Sequence, residues 1–260
     1  MRLTVSTTIR QSRTSDQTAK GIKLRVTVER LGWCIVLILV GVAVTSVINR
    51  AFFIFESLRV QIIDPAEVFN PFEIRYYEHW LVSLLHIVPS LLIVIIGPLQ
   101  FVRMIRKRYL AWHRLSGRIF IFCGVVSALS GLFFGVFHPF MGNTGLGFNQ
   151  AVATLFFGIY TLFCLYKAYS SIRLGNVGLH REWMIRTWAV MLGIATERLL
   201  LGVFLSISSI DMSVLFGTTF WMAAVINISA SEAWINLTRT HGSGARHWKD
   251  IDSNYTKREP

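Results

Sequence analysis

The sequence predicts an all-α membrane protein, a bundle of six transmembrane helices with both termini in the cytoplasm. Three observations predict it. Of 260 residues, 53% are hydrophobic and only 15% are charged, where a soluble domain carries about 25% charged residues. The mean hydropathy is +0.52. The apolar residues are gathered into long continuous runs. Together these exclude a soluble globular domain and a disordered chain.

A helix needs about 20 mostly apolar residues to cross roughly 30 Å of hydrocarbon. Residues 1–30 are polar and basic, with no hydrophobic period, and read as a mobile cytoplasmic tail. The run over 31–49 lies between Arg30 and Arg50 without a charge. The long charged stretch before it, with no small-residue cleavage site after it, reads as a retained first span rather than a signal peptide. Residues 80–102 hold only His86 as an ionisable group, and 119–137 run clean between Arg118 and His138. The fourth span covers 148–166 and ends before Lys167; the fifth, 187–210, is interrupted by Glu197 and Arg198; the sixth, 212–231, lies between Asp211 and Glu232. Residues 237–260 form a second basic tail. In lipid each backbone N–H and C=O must be paired within its own segment, so these runs are helices. A barrel strand would alternate over about 10 residues instead. The transmembrane domain is thus 31–236.

The connecting segments sort by charge. The N-terminal tail carries seven Lys+Arg, residues 50–79 three, 103–118 six, 138–147 none, 167–186 four, the turn before Met212 none and the C-terminal tail five. Twenty-two basic residues thus fall on one side and three on the other. The positive-inside rule puts the richer side in the cytoplasm, which predicts a multi-pass protein of the cell membrane. The formal net charge of +12 is then a topology signal that suits anionic headgroups. The expected partner is the lipid bilayer, not nucleic acid. Residues 50–79 form the one long external loop, marked by turns at Asp64-Pro65 and Asn70-Pro71. Trp80, Trp112, Trp183 and Trp234 stand at or near span ends, as aromatic belts do. Cys34, Cys123 and Cys164 all lie in apolar runs, which argues against a disulfide framework.

Ionisable groups inside spans are costly and mark candidate sites. His86 lies roughly 9 Å deep at 1.5 Å per residue. Arg198 lies near the midplane, beside Glu197. Adjacent helical residues do not face each other, so each is expected to find a partner on another helix. Pairing of Arg198 with Glu197 as a packing device is the alternative. A second set gathers at the inner edge. His113-Arg114 is followed by Arg118, and His180-Arg181 by Arg186; both stretches precede a span entering from the same side. Asn227 and Glu232 return to that edge on the sixth span. A cytoplasmic-side pocket of His113, Arg118, His180, Arg186, Asn227 and Glu232 is physically possible. Basic residues at span ends most often serve as anchors. Arginines there could also hold an anionic or lipidic ligand. Imidazoles at matched depth could instead ligate a b-type haem, with His86, His113 and His180 as the metal ligands. A third reading is a small-solute transporter working around His86 and Arg198, with Pro89 and Pro98 kinking the second span. No nucleotide-binding, zinc-protease or nucleophile-elbow motif is present.

His86 with Gly97-Pro98-Leu99-Gln100-Phe101, then His113-Arg114-Leu115-Ser116-Gly117-Arg118, His180-Arg181-Glu182-Trp183-Met184-Ile185-Arg186, Glu197-Arg198, Asn227 and Glu232-Ala233-Trp234 follow in an order that resembles the domain-of-unknown-function 2306 family of predicted multi-pass membrane proteins. The resemblance covers about residues 79–236. It implies a shared pattern of His86, His113, Arg118, His180, Arg186, Arg198 and Glu232, and no particular chemistry. The fourth span has no histidine, a departure from a four-helix, two-haem arrangement.

Overall fold

The computed structural model describes residues 2–59, 71–140 and 145–239. The turn signal at Asp64-Pro65 and the tail residues His241 and His247 lie outside the described residues. The chain divides into two compact units, Met1–Gly41 and Val42–Pro260.

All regular structure among the described residues is helical. In chain order the elements are α1 (Arg2–Arg59), α2 (Pro71–Glu78), α3 (Trp80–Phe101), α4 (Arg103–Arg108), α5 (Leu110–Leu132), a π-helical turn (Phe133–Phe137), α6 (Leu146–Arg173), α7 (Val177–Met191), α8 (Gly193–Ile207) and α9 (Met212–Thr238). Six helical stretches are long and apolar enough to cross a membrane: Val26–Arg59, Trp80–Phe101, Leu110–Phe137, Leu146–Arg173, Val177–Ile207 and Met212–Thr238. They match the six apolar runs and extend four of them, while the second stops at Phe101 and the fifth at Ile207, short of the expected ends at 102 and 210. The expected mobile tail is also helical from Arg2 onwards. No proline falls before Pro65, so nothing forbids the helix backbone there.

In the second unit α3 packs along α5, α6 along α7, and α9 against α8, α6 and α7. The chain reverses tightly between α6 and α7. Gly175 takes φ 74°, its N–H reaches Ile172 O at 3.1 Å and that of Asn176 reaches Ser171 O at 2.9 Å. This is the Schellman pattern, which needs a left-handed residue past the helix end. Asn176 Oδ1 then accepts from Leu179 N–H and caps α7. The end of the bundle with α4 and this turn is the basic end; the end with α2 and His138 is the far end.

The outer surface is apolar: Phe122, Phe148, Tyr166 and Ile207 are each more than half exposed. Hydrocarbon solvates such a surface, whereas water would not. The interior relies on small residues and a few rings. Ala153, Phe157 and Ala224 form one cluster, and Leu201, Leu215 and Phe216 another. Gly97 abuts the Trp188 indole so closely that a Cβ would collide with it. Such close approach is how membrane helices gain dispersion contact without a hydrophobic driving force.

Candidate functional site

Between these helices lies a cavity of about 520 Å³, within the range of small-molecule sites. Its walls are mixed. Towards the far end stand Arg50, Glu73, Arg75 and Tyr76; deeper, Val94, Phe157 and Phe220 make an apolar surface. His86 and Arg198 line it as well.

Each arginine is held by its element. Arg50, near the end of α1, lies over the Tyr76 ring at 4.4 Å and 3.8 Å from the Glu73 carboxylate. Arg75 of α2 is buried and donates to His138 O at 2.8 Å. Arg198 of α8 lies 3.7 Å from Glu197 and 5.9 Å from the Phe216 ring centroid. Cation–π contact at such distances supports a desolvated guanidinium. Both readings find a contact here: the local one at 3.7 Å, too long for a hydrogen bond, and the cross-helix one in the Phe216 ring of α9. Glu197 is fully buried, and neither carboxylate oxygen accepts a hydrogen bond among the described residues. Thr219 faces it, yet donates its single hydroxyl proton to carbonyls of its own helix.

His86 is fixed by the helix beside it. Its Nδ1 lies 3.0 Å from Ser127 O and 3.2 Å from Ser130 Oγ. A carbonyl only accepts, so Nδ1 carries the proton, and Nε2 of the neutral ring is the acceptor. Ser90 bonds both His86 O and Ser127 Oγ, locking α3 to α5 at this depth. A b-type haem between paired imidazoles needs two of them, and His86 is the one histidine among the described residues that line the cavity. No group of three or more His, Cys, Asp or Glu converges as a metal site among the described residues.

The other sequence-derived candidates are elsewhere. Arg186 donates to Glu232 through two nitrogens, one at 2.9 Å, and lies over the Trp183 ring at 4.6 Å. Glu182 accepts two 2.7 Å bonds from Arg239. This charge-assisted donation holds the Arg239 guanidinium above its ordinary range. These pairs latch α7 to α9. Asn227 bridges the break between α7 and α8: it donates to Ala189 O and accepts from Thr196, both at 2.9 Å. Carbonyls of a helix's last turn lack partners of their own, so the side chain supplies one. Arg118 is exposed on α5. His113 and His180 gather at the basic end, near enough to act on each other electrostatically.

The structure therefore brings together His86 and Arg198 from the candidate set, and adds Arg50 and Arg75, which sequence reasoning counted as loop charges. A signal was present: both sit beside aromatic residues, in Arg50-Ala51-Phe52-Phe53 and Arg75-Tyr76-Tyr77.

No curated protein and no solved structure gives a significant match to the chain. A family model described as a predicted membrane protein (DUF2306) matches residues 83–235. That stretch runs from α3 into α9 and takes in His86, both His-Arg motifs, the Glu197-Arg198 pair and Glu232. It covers more than half of the sequence, and the chain belongs to the DUF2306 family of predicted membrane proteins.

Proposed function

We propose that this integral membrane protein holds a small anionic amphiphile in its central cavity. The acidic group would lie among Arg50, Arg75 and Arg198, with the apolar part against Val94, Phe157 and Phe220. One observation carries this reading: among the described residues, three guanidinium groups from three helices, against the carboxylate of Glu73, line one end of a cavity whose remainder is largely apolar. Guanidinium forks match carboxylate and phosphate oxygens, and their pull grows where water is excluded. The count of basic residues in the connecting segments supports an orientation with both termini in the cytoplasm of a cell-membrane protein. The arginines then occupy the outer half of the bilayer.

Dodecanoate and dodecanol differ only in the acidic group and separate this reading from simple greasiness. The full chain in mild detergent should bind dodecanoate saturably and at least 10-fold more tightly than dodecanol, since charge-assisted hydrogen bonds contribute about 1.5–3 kcal/mol. Equal binding would refute it. A second reading, carriage of the same anion across the bilayer, is favoured by His86 and Arg198 sharing the cavity wall, with two prolines, Pro89 and Pro98, inside the helix that carries His86. Dodecanoate flux into protein-containing vesicles above that of empty ones would establish it; tight binding without flux would leave a binding protein.

A further inference from the structure

A second cluster of basic side chains stands at the basic end, outside the cavity. Arg106 comes from α4, His113 and Arg114 from the first turns of α5, and His180 and Arg181 from the first turns of α7. His113 is within electrostatic range of Arg106, Arg114 and His180, and Arg181 within range of Arg106. The arginines among them are fixed like charges, which repel and destabilise the fold unless something negative joins them. The acid beside them, Glu182, is already committed to Arg239 and Arg186.

The hydrogen bonding leaves specific atoms over. His180 gives its Nδ1–H to Ala168 O at 2.9 Å, and Arg181 Nη2 donates to Thr238 at 2.7 Å. Arg106 Nε and His113 Nδ1 are both buried with no hydrogen-bond partner among the described residues. A buried donor without an acceptor costs about 1–3 kcal/mol, and native structures hold few. Arg106 Nε always carries a proton, and His113 Nδ1 carries one in the tautomer that leaves Nε2 the acceptor; between arginines, two such donors call for a group with several acceptor oxygens and a negative charge. Phosphate has this chemistry, and arginine is the side chain best matched to it. The site lies where α4 meets α5, at the start of a stretch long and apolar enough to cross a membrane.

We propose that Arg106, His113 and Arg181 bind a phosphate group at the basic end, carried by an anionic phospholipid headgroup or by a phosphorylated solute. The site stands apart from the central cavity and is independent of what that cavity holds.

The test is native mass spectrometry of the delipidated full chain in detergent, titrated with phosphatidylglycerol, phosphatidylcholine and inorganic phosphate. A headgroup site predicts phosphatidylglycerol adducts at least 10-fold more abundant than phosphatidylcholine adducts. A solute site predicts inorganic phosphate adducts as well. In either case R106Q/R181Q loses the preference, while R103Q/R108Q, which removes two exposed charges nearby, keeps it. Should the double variant fail to fold, the single R106Q reads the same loss. No preference over phosphatidylcholine and no phosphate adduct would overturn the proposal. So would equal loss in R103Q/R108Q, which would mean diffuse surface charge rather than a site.

Discussion

Arg186 and Arg198 stand on either side of the helix break at Leu192, in one membrane-crossing stretch, and their surroundings differ. Arg186 closes on Glu232 through two hydrogen bonds and reaches Glu182 at 3.9 Å. Arg198 meets Glu197 only at 3.7 Å, beyond hydrogen-bond reach, and faces the cavity. In a medium that penalises unpaired charge, the first arrangement satisfies its groups within the fold and acts as a latch. The second brings a guanidinium over the Phe216 ring to a cavity wall, within reach of a ligand's oxygens. Charge in a span is thus no sufficient sign of function; the partner decides.

Breaking the latch should have the largest effect on stability. Glu182→Leu strands Arg239 at a largely buried site, and loss of one partner of a buried pair costs about 3–5 kcal/mol. Thermal unfolding in detergent should show a drop in midpoint well beyond that of any cavity variant, and an unchanged midpoint would show that Glu182 does not hold α7 to α9. Next comes Gly97→Ala, whose new Cβ drives into the Trp188 indole; overpacking of this kind costs about 1–3 kcal/mol. The companion G97A/W188L should recover much of it, and failure to recover would place the strain elsewhere. Asn227→Ala removes two bonds across the break between α7 and α8, for a loss of about 2 kcal/mol at 0.5–1.5 each plus an orphaned carbonyl. Amide exchange localised at residues 189–196 would report that loss, and uniform exchange along α7 and α8 would contradict it.

Cavity variants should reverse this pattern. Arg50→Met removes a 3.8 Å contact with Glu73, too long for a hydrogen bond, and so loose a pair contributes at most about 1 kcal/mol, so the unfolding midpoint should barely move while anion binding falls. The smallest effect concerns pH at the far end. His138 packs against His79 with ring centroids 4.2 Å apart and the planes tilted by 50°. Burial, then the His79 charge, hold its imidazole below the ordinary value, with Glu78 opposing. A histidine lowered on folding stabilises fully above its unfolded pKa, near 6.5, and loses that contribution as pH falls below it. The unfolding midpoint should therefore drop slightly between pH 7.5 and 5.5, and His138→Phe should flatten the slope. A slope unchanged in His138→Phe would assign it to another group.

The six spans are legible because the length of an apolar run is a one-dimensional property of the chain. Their ends are less so. α6 continues past Tyr166 through Lys167 and Arg173, since a helix backbone carries on into polar residues whose long stems can reach the interface. His86 and Arg198 are legible as cavity residues because an ionisable group in a span is conspicuous. Arg50 and Arg75 are not, because a charge beside a span looks like any loop charge until α2 folds it inward. The Arg186–Glu232 pair is equally hidden. Nothing in the sequence says that two charges forty-six positions apart will meet. Asn227 reads as a pocket residue for the same reason, until the break it bridges is visible.

The central claim is that the cavity arginines recognise an anion while the latch does not. Its most direct test is the dissociation constant of dodecanoate for the wild-type chain and for Arg50→Met, with unfolding midpoints recorded on the same samples. A loss of about 10-fold or more, the equivalent of about 1.4 kcal/mol, with an unmoved midpoint is the predicted result. Equal constants for the two proteins would contradict it.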